Sequence, residues 1–132
     1  LEQWAQLTTE PGVVFQGGPV SLDSALGLVA VIDGVEPLGV RRVSGQVGVV
    51  DLDTPPEVVQ PGVVAMRVFA GYAGWSPEQL ENEIAEGSWY VVDSQTGDAF
   101  SDDANELWKA VLRRQDGPLA LMATFPADPS LN

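Results

Sequence analysis

The chain has no cysteine and no histidine among its 132 residues. These two absences exclude disulfide bonds, thiolate nucleophiles, zinc sites of the usual ligand types and Ser-His-Asp triads within the chain. The lack of histidine also excludes a histidine-based pH switch. Because a protein without cysteine fits a reducing compartment, we expect a cytoplasmic location.

Basic residues and long apolar runs are also scarce. Six Lys and Arg stand against 19 Asp and Glu, which gives a formal net charge of −13. Nucleic-acid binders and proteins on anionic membranes need clustered basic side chains, so this balance disfavours direct nucleic-acid binding and membrane association. It attracts a basic protein partner or a cation, or it serves only solubility. The longest apolar run, within Ala25–Ile32, is too short for a membrane span.

The apolar residues that are present suffice for one core. A 45% hydrophobic fraction in 132 residues predicts a single domain over 1–132, with a frayed tail over 127–132. Valine-rich runs separated by Gly and Pro predict strands in the first half of the chain. These runs are Val13–Phe15, Ala25–Ile32, Val40–Val43, Val47–Leu52 and Val63–Ala70.

The clearest helix signal is a capping-box pattern, with Ser76 as the N-cap and Gln79 at the third helical position. We predict that this helix ends at Gly87 and turns Leu80 and Ile84 towards the core.

A strand over Trp89–Val92 and a helix from about Asp103 to Arg114 are predicted next. Because strands dominate the first half and helices come later, the fold class is α+β rather than a regular βαβ series.

Two stretches resemble the signature blocks of the AlgH/YqgE family. One is Val14–Val20, which contains Gly17-Gly18-Pro19, and the other runs from Gly71 through Ser76-Pro77 to Trp89. The resemblance implies a bacterial α+β protein with a mixed or antiparallel sheet curled into a partial barrel, with two or three helices. Members begin with a strand-rich segment that has no counterpart here, so we expect that N-terminal segment to be missing.

One branch of the AlgH/YqgE family is described as a transcriptional regulator of alginate synthesis. The charge balance opposes direct DNA binding, so any regulatory role that the resemblance implies is expected to be indirect.

Two glycine-rich loops are the candidate binding segments. Gly17-Gly18-Pro19 suits an anion-binding nest, but a sharp turn with positive φ is the favoured interpretation. In the second loop, Tyr72 and Trp75 either wall a pocket or anchor a partner, or they fill the core while the glycines allow close packing. The candidate binding residues are Gly17, Gly18, Pro19, Gly71, Tyr72, Gly74, Trp75, Ser76, Gln79 and Glu83.

Acidic residues cluster at two loops and on one helix face. Asp51, Asp53 and Glu57 form one group, and the loop over 93–103 holds another, which lacks the ligand spacing of an EF-hand. We interpret both as solvated turns and predict no metal site and no cofactor. The polar face around Glu78, Glu81 and Glu83 is either a wet surface or a site for a basic partner.

Two functions remain open. The favoured one is a non-enzymatic regulatory or protein-interaction module that binds through the surface near Tyr72–Glu83 without direct DNA binding. The alternative is a small-molecule or anion-binding module, or a weak enzyme, that uses the glycine-rich loops. No serine lies in a Gly-x-Ser-x-Gly elbow and no histidine base exists, so enzyme status is disfavoured and no catalytic residue is assigned. The sequence leaves the partner and the oligomeric state open.

Overall fold

A computed structural model describes residues 2–125, and it contains a five-stranded mixed sheet. The strand order is β1-β5-β2-β4-β3. The strands are β1 (Val14–Gln16), β2 (Val20–Val31), β3 (Val40–Ser44), β4 (Val47–Val50) and β5 (Val63–Tyr72). The α+β class and the five strands predicted in the first half of the chain are confirmed, although β2 begins earlier than its apolar run.

The pairing directions make the sheet mixed. β2 lies at the centre and is antiparallel to both β4 and β5, whereas β1 is parallel to β5. β3 and β4 form a hairpin whose tight turn uses Gly45 at a φ of 53°. In the described residues the strand order is open, with β1 and β3 at the edges, so the curled partial barrel stays a prediction.

The core lies on one face of this sheet. Val29 of β2 pairs with Met66 of β5, and directly paired residues share a face because side chains alternate along a strand. Val50 packs into the same cluster, and Trp4 and Val59 are fully buried against it. The Trp4 indole donates to the Leu52 carbonyl at 3.1 Å, so the buried ring keeps its hydrogen bond.

The opposite face carries Arg67 and Phe69, which alternate with the core residues along β5. Arg67 is buried, its guanidinium lies 4.6 Å from the centre of the Phe15 ring, and it donates to the Glu10 carbonyl at 2.9 Å. Phe15 and Leu26 each pair directly with Phe69. This second face therefore gathers aromatic and apolar side chains next to the end of β5.

The helices are short. The α-helices are α1 (Pro56–Val59), α2 (Gln79–Ala85), α3 (Leu107–Arg113) and α4 (Pro118–Met122), and 3₁₀ turns lie at Glu2–Trp4, Gln60–Gly62, Thr96–Phe100 and Ala104–Glu106. The helix predicted from about Asp103 to Arg114 is present as the 3₁₀ turn Ala104–Glu106 followed by α3.

The predictions for α2 were wrong in two respects. The helix begins at Gln79 rather than at Pro77, because Glu78 adopts a left-handed φ of 70° that a continuous α-helix does not allow. It also buries no residue, and Ile84 is 40% exposed rather than packed in the core. Side-chain hydrogen bonds, rather than core packing, hold this helix in position.

The described chain forms two compact units that divide between Tyr90 and Val91. The strand predicted over Trp89–Val92 is wrong, because residues 88–95 pair with no strand in the described chain. The single domain over 1–132 stays a prediction, and the tail predicted over 127–132 lies outside the described residues. In the part of the chain that the structure describes, no helix has the length and apolar character that a membrane span requires.

Candidate functional site

The two glycine-rich loops meet at one end of the sheet. β1 and β2 lie on either side of β5, so the Gly17-Gly18-Pro19 connection between them crosses the end of β5. The Gly17 N–H donates to the Ala70 carbonyl at 2.8 Å, and Val20 then pairs with Tyr72. The topology therefore joins two segments that are more than fifty residues apart in sequence.

Close backbone contact explains why both segments contain glycine. A Cβ atom on Gly17 would lie 2.5 Å from the Gly71 carbonyl oxygen, and one on Gly18 would lie 2.2 Å from the Tyr72 carbonyl carbon. Gly71 has a φ of 75°, and its Cβ would lie 2.6 Å from the Gly18 oxygen. Positive φ occurs at Gly71 but at neither Gly17 nor Gly18. The positive-φ explanation for the first loop was therefore wrong, and close packing is the reason for its glycines.

An open cleft of about 380 Å³ lies at this junction, on the sheet face opposite the core. Tyr72 is 48% exposed and Trp75 is 41% exposed, so neither aromatic ring fills the core. The residues that line the cleft are Gln16, Gly17, Leu26, Phe69, Gly71, Tyr72, Ala73 and Trp75. The cleft thus has a backbone and apolar floor and two exposed aromatic walls.

A carboxylate joins two tryptophans beside the cleft. The indole N–H groups of Trp75 and Trp89 both donate to Glu83 Oε2, at 3.1 Å and 2.7 Å. The two indole rings also contact each other edge to face, with their centres 5.9 Å apart. We refer to Trp75, Glu83 and Trp89 as the Trp-Glu-Trp cluster. It connects the loop after β5, helix α2 and the segment after that helix.

Trp89 is the member of this cluster that sequence reasoning missed. Gly87 follows the last turn of α2 at a φ of 84°, and the Ser88 N–H donates back to the Glu83 carbonyl at 3.0 Å. This C-terminal cap reverses the chain and returns Trp89 alongside Glu83. The signal in the sequence was the glycine after the helix, which predicts a reversal rather than an immediate strand.

Ser76 and Gln79 extend the hydrogen-bond network. The backbone N–H and the hydroxyl of Ser76 both donate to Gln79 Oε1, at 3.0 Å and 3.1 Å, and Gln79 Nε2 donates to Glu83 Oε1 at 3.1 Å. The predicted capping box is therefore half formed, because the Ser76 hydroxyl bonds the Gln79 side chain instead of its backbone N–H. All four candidate residues from Trp75 to Glu83 belong to one connected network.

Glu83 is an anion within this network. Hydrogen bonds from Trp89, Trp75 and Gln79, in that order of effect, hold the pKa of Glu83 below its usual value. Glu78, Glu81 and Glu86 are exposed on the same segment, so the surface next to the cleft is strongly acidic.

The other acidic loops have structural partners of their own. Asp98 pairs with Arg114 through two hydrogen bonds of 2.7 Å and 2.8 Å, and it accepts from the Gln95 N–H at 2.9 Å. Asp51 accepts from the Asp53 N–H at 3.0 Å within a turn. Within residues 2–125 no group of three or more acidic residues is arranged to hold a metal ion.

Comparisons with known proteins identify similar chains. The family model described as DUF179, AlgH-like, matches residues 1–120. A UPF0301 protein of Streptomyces coelicolor is 61% identical over all of this chain and 70% of its own length. A UPF0301 protein of Thermobifida fusca is 47% identical over all of this chain and 71% of its own length.

Two solved structures share the fold. A crystal structure of a protein from Corynebacterium diphtheriae superposes with a TM-score of 0.88 at 34% identity, covering 95% of this chain and 67% of that one. The solution structure of the AlgH protein from Pseudomonas aeruginosa superposes with a TM-score of 0.62 at 22% identity, covering 87% of this chain and 60% of that one. At the latter identity the likeness concerns the fold alone.

Proposed function

The chain belongs to the AlgH-like family, and we propose that it is a non-enzymatic protein-interaction module that binds a basic segment of a partner protein. The binding surface consists of the cleft walled by Tyr72 and Trp75 and the acidic face of α2 beside it. Any regulatory effect is exerted through the partner in the cytoplasm. This protein does not itself contact DNA.

The exposure of Tyr72 and Trp75 at a concave site is the observation that carries this proposal. Large aromatic side chains that are half exposed at a cleft bury apolar area on binding, and Tyr and Trp are enriched among the residues that dominate interface energies. Tyr72 and Trp75 lie in the glycine-rich loop that begins at Gly71. The backbone of Gly71 packs closely against the backbone of Gly18, which restricts the movement of this loop. A preorganised site of this kind loses less conformational entropy when it binds.

Charge supports a basic partner. The chain carries a formal net charge of −13, and Glu78, Glu81 and Glu86 are exposed beside the cleft. Complementary charge raises association rates and excludes partners of the same sign, so a basic segment is selected over an acidic one. The same field repels the phosphates of nucleic acids.

A pull-down from native cell extract tests the proposal. The intact protein is compared with Tyr72→Ala/Trp75→Ala and with Tyr90→Ala, which removes an aromatic ring that is 61% exposed but does not line the cleft. We expect a basic partner that the wild type and Tyr90→Ala retain and the double variant loses. Circular dichroism first establishes that all three proteins are folded. If the folded double variant keeps every partner, the cleft is not the interaction surface.

Small-molecule binding is the second candidate, and the volume of the cleft favours it. About 380 Å³ lies within the range of roughly 300–1,000 Å³ that ligand pockets occupy. A fragment screen by thermal shift tests this candidate, with Trp75→Ala as the control. A fragment that raises the Tm of the wild type but not of Trp75→Ala supports a ligand site. The absence of any such fragment contradicts it.

A further inference from the structure

We propose that the cleft and the Trp-Glu-Trp cluster together recognise an arginine side chain of the basic partner, with the guanidinium over the aromatic rings and beside Glu83. This inference rests on the proposed function and adds the chemical group that the site selects. Three features of the described residues carry it: the exposed rings, the hydrogen bonds of the indoles, and the position of the carboxylate.

The exposed rings provide faces for a cation. Tyr72, Trp75 and Trp89 are 48%, 41% and 47% exposed, and Trp75 belongs to both the cleft and the cluster. The face of an aromatic ring carries partial negative charge and attracts cations within about 6 Å, and tryptophan does so most strongly. Two tryptophans in contact with each other therefore form a favourable surface for one cationic group.

The hydrogen bonds of the indoles strengthen this attraction. Each indole N–H donates to the Glu83 carboxylate, at 3.1 Å from Trp75 and 2.7 Å from Trp89. Donation to an anion shifts electron density towards the ring, because groups joined by hydrogen bonds polarise one another. A more electron-rich ring binds a cation more strongly. The cluster thus increases the cation affinity of both tryptophans.

Glu83 also has acceptor capacity left for the ligand. It receives three hydrogen bonds, from Trp75, Trp89 and Gln79. An ionised carboxylate offers about four lone-pair sites, so one acceptor position remains for a guanidinium N–H. No Lys or Arg forms an ion pair with Glu83 in the described chain, so a bound cation would be its first charged partner.

Arginine fits these features better than lysine does. Its guanidinium is planar, so it stacks on an aromatic face while its edge donates hydrogen bonds to a carboxylate. It is also more weakly hydrated than an ammonium group, which lowers the cost of moving it from water to a half-exposed site. The open cleft admits a long side chain that lies along the rings.

Peptide titrations monitored by NMR test the inference on the intact protein. Three capped Gly/Ser-rich hexapeptides differ only in two positions, which carry arginine, lysine or citrulline, the neutral analogue of arginine. The indole N–H resonances of Trp75 and Trp89 report on the site, assigned with Trp75→Phe and Trp89→Phe. Trp4 is an internal reference because it is fully buried and bonds the Leu52 carbonyl.

The arginine peptide is expected to shift the Trp75 and Trp89 resonances saturably and to leave Trp4 unchanged. Its affinity should exceed that of the citrulline peptide by roughly 3- to 30-fold, with lysine in between. Equal affinities for arginine and citrulline peptides, or no shift of either resonance, overturn the inference. Neither outcome affects the pull-down with Tyr72→Ala/Trp75→Ala, so failure of arginine recognition is distinguishable from failure of the proposed function.

Variants of Glu83 provide the second arm. Glu83→Gln should weaken the arginine peptide about 3- to 10-fold and leave the citrulline peptide unchanged, because the charge contact and the polarisation of the indole rings act only on a charged side chain. Glu57→Gln removes one exposed charge from α1, outside the binding surface, and should change the affinity less than twofold. Equal effects of the two substitutions indicate a general charge effect and contradict a specific contact. If Glu83→Gln does not fold, Trp89→Phe removes one N–H donor to Glu83 but keeps an aromatic ring at this position, and it should also weaken the arginine peptide.

Discussion

At the scale of single residues, Glu83 is the group whose chemistry the structure defines most closely. Three donors fix its carboxylate, and two of them are tryptophans from segments on either side of α2. A helix that buries no residue depends on such contacts for its position. The sequence named Glu83 as a candidate through its polar helix face, but it did not indicate Trp89, since the return of the chain after Gly87 depends on backbone geometry at the cap.

The stability contributed by Glu83 should depend on pH. Hydrogen bonding lowers its pKa in the folded protein below the ordinary value of 4.5, so the unfolded state binds more protons in acid. The contribution is therefore present above pH 4.5 and is lost as pH falls through the folded pKa. We expect Glu83→Gln to lower the Tm at pH 7. The difference in Tm between this variant and the wild type should disappear as the pH falls below 4.5. Thermal melts across pH measure this, with Glu86→Gln as the control for loss of one charge. If Glu83→Gln and Glu86→Gln lower the Tm by the same amount at every pH, the hydrogen bonds of Glu83 do not stabilise the fold.

Gly71 and Gly74 lie in the same loop and should respond differently to alanine. Gly71 has positive φ, and its Cβ would lie 2.6 Å from a backbone oxygen, whereas the nearest atom to a Cβ on Gly74 is 3.8 Å away. We expect Gly71→Ala to reduce the free energy of unfolding by about 2–4 kcal/mol and Gly74→Ala to change it by about 0.5 kcal/mol or less. Urea unfolding measures both. If both variants lose the same free energy of unfolding, the backbone of Gly71 is not closely packed against Gly18.

At the scale of elements, β5 connects the core to the cleft. Met66 and Val68 face the core, and Arg67, Phe69 and Gly71 alternate with them towards the face that carries the cleft. The length and apolar character of this strand were readable from the sequence. The strand β1 was also predicted, but its parallel pairing with β5 was not, because pairing between distant strands leaves no local periodic signal.

The difference in burial between the start and the middle of β5 predicts a contrast in stability. Met66 is completely buried, whereas Val64, two residues before it, is 68% exposed. Met66→Ala should cost about 2–4 kcal/mol, because it leaves a cavity in the core. Val64→Ala should cost about 0.5 kcal/mol, since it removes little buried area. Chemical denaturation of both variants checks the contrast, and a cost for Val64→Ala comparable to that for Met66→Ala contradicts the difference in burial along β5.

Helix α2 shows where local patterns were insufficient. The spacing of Leu80 and Ile84 predicted a core-facing stripe, yet the structure leaves Ile84 40% exposed. Periodicity indicates that a helix has an apolar side, but it does not state which surface covers that side. The capping signal was correct in the Ser76–Gln79 contact and wrong in its start, because Glu78 takes up the left-handed conformation. The residues of the candidate site were thus largely predictable, whereas their arrangement was not.

At the scale of the whole molecule, net charge is the property that can be read most directly from the sequence. A formal net charge of −13 creates a negative field that acts over distances comparable to the Debye length, about 8–10 Å at physiological salt. The fold places exposed acidic residues of α2 beside the aromatic cleft, so under the proposed function long-range attraction and short-range contact would act on the same surface.

Association with the basic partner should therefore depend strongly on salt. Raising NaCl from about 50 mM to about 500 mM should lower the association rate by roughly tenfold or more and change the dissociation rate much less, because screening acts mainly on the encounter of the two proteins. Stopped-flow or surface plasmon resonance measurements separate the two rates. An association rate that does not respond to salt contradicts a role for the charge in partner selection.

Site-specific photo-crosslinking in living cells tests the central claim most directly. A benzophenone amino acid replaces Tyr72 in the cleft or, in a matched variant, Tyr90, which is exposed outside it. If the cleft binds a basic protein, the probe at position 72 yields a discrete adduct with such a protein and the probe at position 90 does not. Adducts of equal yield at both positions, or none at position 72, contradict the account.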